Sequence, residues 1–389
     1  MNKNCHEFID YILTEAPKHD KKTVENDTSL RFNLTKDRTV YHNQYFAVRF
    51  CYSKKSSAAF SNTILSLSAL EKYDTIPFFV VLVRRDGDNI MLLANTTFLK
   101  KISHSSHELT MTNIKGSFNG SDIIKIYEDI SNCPENFDAL FAIHQALDWE
   151  DNLSRLVEAT NNIIPLHEKF IPNQAQHDCI LKSIDRAKKF ISSKYFSELE
   201  ADLNQRCNEC RNEILIASHI ENNNIRGRLI ESLITCDDIE RQQIIDNLHN
   251  LEAALPTYST RNGLGDYYKE FKDCNTFTDI KTKVIYLNSN PKAYNIDKFL
   301  RQMSESRSVF LFFFIGIDKD SIFNTLLCSV YHDKLIDNTI CQFHWAGRHT
   351  RGVAQFNGEV INEMLTRPDF QNRIDKVQAT QFLTKLINR

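Results

Sequence analysis

The run at residues 309–317, VFLFFFIGI, admits few folds. It has about half of the ~20 apolar residues a helix needs to cross a bilayer, so it reads as a buried strand. A buried strand needs a core around it. The chain can supply one: of 389 residues, 42% are hydrophobic and 25% charged, close to the average for globular proteins. At roughly 150 residues per domain this length corresponds to two or three domains, with two as the working number. The formal net charge of -3 provides no overall field toward nucleic acid or an anionic membrane, so any basic site has to be local.

Ten cysteines are spread unevenly along the chain, and its opening stretch, MNKNCHEFIDYILTEAPKHDKK, lacks the apolar segment of a secretory signal. The expectation is therefore reduced thiols in a cytoplasm. The pair Cys207 and Cys210 has zinc-like spacing, but Cys236, Cys274 and His219 follow irregularly, which favours ordinary half-buried thiols on one helix face.

Pattern divides the chain into three stretches. The first 35 or so residues are polar and are expected to be frayed. After them, YFAVRFCYS reads as a strand, SNTILSLSALEKY has helical spacing, and IPFFVVLVRRDGDNIMLLAN reads as a hairpin turning at Asp86-Gly87-Asp88. From about Asp138 to Asn250 the periodicity is helical, broken by Pro165 and Pro172 in IIPLHEKFIPNQAQ. The last third alternates strands (DYYKEF, FTDIKTKVIYL, SVFLFFFIGI, NTICQFHWAG) with helices (NIDKFLRQMSES, ATQFLTKLIN). The resulting division is an α+β amino-terminal domain over 1–165, a helical linker over 166–205 and a second domain over 206–389.

The strongest chemistry lies in the second domain. In RGRLIESLIT, Glu231 stands among Leu229, Ile230, Leu233 and Ile234, at the border of an apolar helix face. In TFTDIKTKV, alternate side chains share a strand face, so Asp279 and Lys281 point the same way and Ile280 points to the core. Asp266, opening the preceding strand, can come opposite them. Acidic oxygens gathered beside one ammonium suit a hard divalent ion, and a lysine there can position water and stabilise charge. Lys283 lies on the same face but farther from Asp279, and Tyr294, Asn295 and Lys298 in PKAYNIDKF either flank the site or form a capped helix start.

The order of these parts, a helix with a glutamate, Gly265-Asp266 opening a strand, and D-x-K thirteen residues later, resembles the PD-(D/E)xK nuclease superfamily over roughly residues 205–389. Gly265 stands where the motif has proline. The resemblance implies an α/β restriction-endonuclease-like domain, a central mixed sheet flanked by helices, behind an amino-terminal recognition or regulatory domain. It implies Asp266, Asp279, Lys281 and Glu231 as catalytic residues, with Asp266 and Asp279 holding Mg²⁺ or a substituting Mn²⁺. The implied activity is that of a type II restriction endonuclease: hydrolysis of double-stranded DNA to 5′-phosphate ends by a homodimer, with a companion DNA methyltransferase. Two alternatives stand beside it: a nuclease effector of another anti-phage defence system, and a non-catalytic DNA-binding or scaffold protein.

Two polar stretches have the composition of a DNA contact. QFHWAGRHTRGVAQF gathers His344, Arg348, His349, Arg351 and Gln355 around Trp345, and arginine can grip phosphate or read guanine edges. LKKISHSSHELTMTNIKGSFNGSDI offers Lys100, Lys101, His104, Lys115 and Asn119, with His107 and Asn113 nearby, in a loop suited to phosphate contacts or effector binding.

Overall fold

The computed structural model describes residues 1–389 except 54–62, 106–108, 111–115, 165–167, 221, 249–254, 256–262, 320, 344–349 and 368–370. The chain is mixed α/β, and its contacts divide it into two compact units, Met1–Glu168 and Lys169–Gln342 with Thr350–Arg389. No helix among the described residues is long and apolar enough to cross a membrane. All ten cysteines are free thiols.

In the first unit five strands form one sheet, in the order Thr35–Asp37, Val40–His42, Ala47–Ser53, Phe78–Arg84 and Ile90–Leu93. Ala47–Ser53 and Phe78–Arg84 run parallel; the other pairs are antiparallel. The expected hairpin forms, with Phe79 opposite Leu93 and Leu82 opposite Ile90, and Gly87 takes φ +96° at the turn. Alternate residues of Phe78–Arg84 feed two cores: Phe78, Val80 and Leu82 one, Phe79, Val81 and Val83 the other. Each face therefore needs a cover.

One cover corrects the expectation of a frayed start. Residues Lys3–Thr14 and Lys21–Arg31 are helices capped by the side chains of Asn2 and Asp20. Cys5, Phe8, Ile9 and Ile12 recur at helical spacing and pack with Phe46, Phe50 and Phe79. The mean polarity of the segment concealed this stripe. A second correction concerns SNTILSLSALEKY, which begins as the strand Thr63–Ser66 and turns helical only over Leu67–Lys72, where Ser66 caps the Ala69 N–H.

The second unit is built on a four-stranded mixed sheet in the order Tyr267–Glu270, Asn275–Val284, Ser308–Ile317 and Ile322–Ser329. Asn275–Val284 is antiparallel to the first of these and parallel to Ser308–Ile317, with the chain crossing over through helix Ile296–Met303. The strand predicted from VFLFFFIGI is buried at every position. Phe310, Phe312 and Phe314 join a cluster with helices Gln174–Ile191, Ile296–Met303 and Lys376–Ile387, while Val309, Leu311, Phe313, Ile315 and Ile317 join another with Lys194–Glu209, Arg211–Ser218 and Asn223–Thr235. Each such side chain contributes roughly 1.5–3 kcal/mol on leaving water.

Part of the stretch read as a linker belongs to these cores: Ile180, Ile184 and Ala187 enter one cluster and Leu199 and Leu203 the other. A small three-stranded sheet, Lys292–Asn295, Val353–Phe356 and Thr339–Gln342 in spatial order, completes the unit. Because Phe313 is fully buried in the central strand, Phe313→Ala should lower unfolding free energy by about 3–5 kcal/mol, whereas Leu30→Ala, at an exposed position, should change it by about 0.5 kcal/mol or less; denaturant titration measures both.

Candidate active site

Helix Asn223–Thr235 begins where the Asn222 side chain accepts the N–H groups of Asn224 and Ile225. Its stripe of Leu229, Ile230, Leu233 and Ile234 packs in the cluster that holds Ile280, so helix and strand are fixed against each other. Glu231 lies just off that stripe and is half-buried. Burial, and then the negative charge of Asp266, push its carboxyl up to about 7 against the pull of Lys281 and Arg228.

The approach to Asp266 requires glycine at position 265. Gly265 has φ +85°, a left-handed conformation closed to proline, and a Cβ there would come within 3.0 Å of Phe277 Cβ. From this turn Asp266 donates its N–H to the Thr278 carbonyl at 2.8 Å and accepts the Ile280 N–H on Oδ2 at 2.8 Å. The residue is thereby tied to the D-x-K strand through its backbone N–H and one carboxylate oxygen.

Asp279 lies opposite Phe312 and Lys281 opposite Phe314, so both take the face of the aromatic row while Ile280 takes the other. Asp279 is 6% exposed and accepts the Lys281 ammonium on Oδ1 at 2.6 Å. Burial raises the Asp279 carboxyl well above the usual range; Lys281 opposes that, and the Asp266 charge and a hydrogen-bond contact with the Asp266 carboxyl add to it. For Lys281 burial favours the neutral amine, but Asp279, Asp266 and Glu231 overcome it and keep the ammonium protonated. Three carboxylates thus share one close lysine.

Two carboxyl groups in contact need a proton or a cation between them. Among the described residues, no group of three His, Cys, Asp or Glu side chains is arranged to hold an ion on its own. Mg²⁺ asks less, one or two carboxylates with waters and substrate oxygens, and the donor set Asp266 and Asp279 has that chemistry. Glu231 and Lys281 line a cleft of about 400 Å³ together with Arg228 of the same helix and Ser289, Asn290, Pro291 and Lys292; Asp266 and Asp279 lie outside that lining.

The other predicted residues fall elsewhere. Lys283 is 1% exposed; its ammonium donates to the Leu287 carbonyl and, at 3.4 Å, to Ser289 Oγ, and burial lowers its pKa. It braces the loop behind the cleft. Tyr294 is buried against Phe299, Phe310 and Phe312, and Asn295 caps helix Ile296–Met303 by accepting the Lys298 N–H. Cys207 and Cys210 are fully buried, and burial pushes the Cys207 thiol up to about 11.

Of the predicted DNA-contact residues, His344, Arg348, His349 and Lys115 lie outside the described residues, as do His107 and Asn113. Arg351 is 4% exposed and committed to the fold: Nη1 donates to Asp297 Oδ1 at 2.6 Å and to the Phe170 carbonyl at 2.8 Å, while Nε and Nη2 donate to the Ile387 carbonyl. Gln355 donates to the Asn290 carbonyl at 2.9 Å, behind the cleft wall. In the first unit Lys100 and His104 are exposed and Lys101 half-buried. The Lys100 N–H donates to the Asp122 carbonyl at 2.8 Å; Asn119 donates its N–H to Asp122 Oδ2 at 2.7 Å and its amide to Ser103 Oγ at 3.2 Å, so the backbone and Asn119 side chain hold a turn. Sequence reasoning missed Arg228 and the Ser289–Lys292 wall, because YLNSNPKAY looks like any polar loop. Compared with models of protein families and with curated proteins, the chain matches none.

The raised carboxyls of Glu231 and Asp279 bind protons more tightly folded than unfolded, so unfolding releases protons and the metal-free fold loses stability as pH rises from the ordinary carboxylate range through about 7. Glu231→Gln removes one such group. In metal-free buffer its melting temperature should gain on the parent between pH 5 and pH 8; a constant difference across that window would show that Glu231 keeps an ordinary pKa.

Proposed function

We propose that the chain is a Mg²⁺-dependent endodeoxyribonuclease of the PD-(D/E)xK kind with a restriction-endonuclease-like second unit, most concretely a type II restriction endonuclease. One observation carries this reading: the Asp266 and Asp279 carboxyls meet in a buried place, beside Lys281 and within the field of Glu231. The mixed sheet, with the D-x-K strand between an antiparallel and a parallel neighbour and a glutamate helix against it, supports the same reading.

In this account Asp266 and Asp279 hold the ion, which when bound lowers the pKa of water and takes up charge developing on the scissile phosphate. Lys281 cannot take the attacking water's proton, because its neighbours keep it protonated; it orients the water and faces the growing negative charge. Glu231, titrating near neutrality, is placed to exchange a proton with that water. The products carry 5′-phosphates. A homodimer supplies one such site per strand of double-stranded DNA, and a companion methyltransferase protects the host sequence.

A second reading keeps the chemistry but makes the protein an effector of another anti-phage system, its first unit sensing a ligand, modified DNA or a partner. The engagement of Asn119 and Asp122 in each other's turn, instead of at an open contact face, favours weighing it. Incubation of the purified chain with unmodified DNA of mixed sequence, followed by sequencing of the ends, separates the two: discrete ends mean restriction, scattered ends or dependence on an added factor mean an effector.

Asp279→Ala and Lys281→Ala should each reduce Mg²⁺-dependent cleavage by about 10²-fold or more, the scale of losing one preorganised electrostatic group. Plasmid cut at the parental rate by both variants would remove the catalytic assignment.

A further inference from the structure

Charge in the cleft is divided. Of the acids Glu231 lines it beside Lys281, and further cations come from two segments, the helix Asn223–Thr235 and the run Ser289–Lys292. From the helix wall come Arg226 and Arg228. Arg226 donates to the Ile220 carbonyl at 3.2 Å and to Asn223 Oδ1 at 2.7 Å, which ties it to its own helix start. Arg228 acts within the site, since its charge draws the Glu231 carboxyl down against burial. From the run Ser289–Lys292 comes Lys292, an exposed residue in a chain with a net charge of only -3.

The wall carrying Lys292 is braced from behind. The Asn290 carbonyl accepts the Gln355 amide at 2.9 Å, and Asn290 Oδ1 accepts the Gly358 N–H at 2.9 Å. Position 358 has to be glycine for this approach, because a Cβ would stand 1.9 Å from the Ser289 carbonyl oxygen. Lys292 itself lies opposite Gln355 in the small sheet. Its backbone is therefore fixed before any ligand arrives, which reduces the ordering cost of a contact.

Resting on the nuclease reading above, we propose that Lys292 and Arg228, one cation from each of the two segments lining the cleft, form a clamp for a DNA backbone phosphate next to the one at the acids. A guanidinium can grip phosphate through two N–H groups and an ammonium as a point charge, so the pair suits an anion entering the cleft they share. No bond is made or broken by these groups; they set where the backbone lies.

The test uses the full chain and a short fluorescently labelled DNA duplex, with binding measured in Ca²⁺ over a range of salt and cleavage measured in Mg²⁺. Lys292→Gln and Arg228→Gln should each weaken binding about tenfold and lower the slope of log affinity against log salt by about 0.9, the value for one lost phosphate contact on duplex DNA. Lys292→Arg should restore both, and for Lys292→Gln the cleavage KM should rise more than kcat falls. Parental affinity and slope in Lys292→Gln overturn the clamp, and if Arg228→Gln melts below the parent, the Lys292 variants decide alone. If the parent cuts and Asp279→Asn does not while the clamp variants keep the parental slope, the clamp falls and the nuclease reading stands. If the parent cuts neither this duplex nor mixed-sequence DNA in Mg²⁺ but Lys292→Gln loses slope, the two-cation contact with DNA is supported and the type II restriction reading is overturned.

Discussion

Strand Asn275–Val284 is paired with Ser308–Ile317 at every position from Asn275 opposite Ser308 to Val284 opposite Ile317, and that partner is buried on both faces. The pairing has two consequences. It fixes the register of D-x-K, so that Asp279 and Lys281 share the face of Phe312 and Phe314 and Ile280 anchors the other. It also carries Asp279 out of water. A carboxylate there would be costly alone, and Lys281 at 2.6 Å answers only part of the charge, since Asp266 and Glu231 draw on the same ammonium. The site is strained electrostatically by its surroundings more than by its backbone.

The edge of the sheet completes the arrangement. Gly265 turns with a positive φ, Asp266 binds the Ile280 N–H, and the helix bearing Glu231 is held by the same apolar cluster that receives Ile280. One residue, Ile280, thus links both acids to the core: its side chain packs with the glutamate helix and its N–H orients Asp266. Across the cleft, Lys283, Gln355 and Gly358 brace the loop Leu287–Lys292 by bonds to Leu287, Ser289 and Asn290. Polar side chains that look functional in sequence are here used to hold the segment that carries Lys292.

Much of this was legible in the sequence, and the reasons are physical. Glu231, Asp279 and Lys281 sit on elements whose pattern shows their faces in the sequence, whereas Asp266, expected to open a strand, stands in the bend just before Tyr267–Glu270 and is held there by the Ile280 N–H. The strand at residues 309–317 could hardly be anything else. Arg351 was misplaced because nothing local signals its burial: its partners Phe170, Asp297 and Ile387 are distant in the chain, and a polar, glycine-containing neighbourhood suggested an exposed loop. The amino-terminal helices were misread for the opposite reason, since the stripe Cys5, Phe8, Ile9 and Ile12 is narrow and its polar neighbours dominate any average. The wall at Ser289–Lys292 carries no pattern at all, and only the bonds to Asn290 reveal its role.

The central claim is that the contact between Asp266 and Asp279 is a place for a divalent cation. Electron paramagnetic resonance of Mn²⁺ titrated into the metal-exchanged protein, without DNA, tests it without reference to cleavage. Saturable binding at a single class of site, lost in Asp279→Asn and in Asp266→Asn while both variants stay folded, is the predicted result. Mn²⁺ that remains free at protein excess, or binds both variants as it binds the parent, would contradict it.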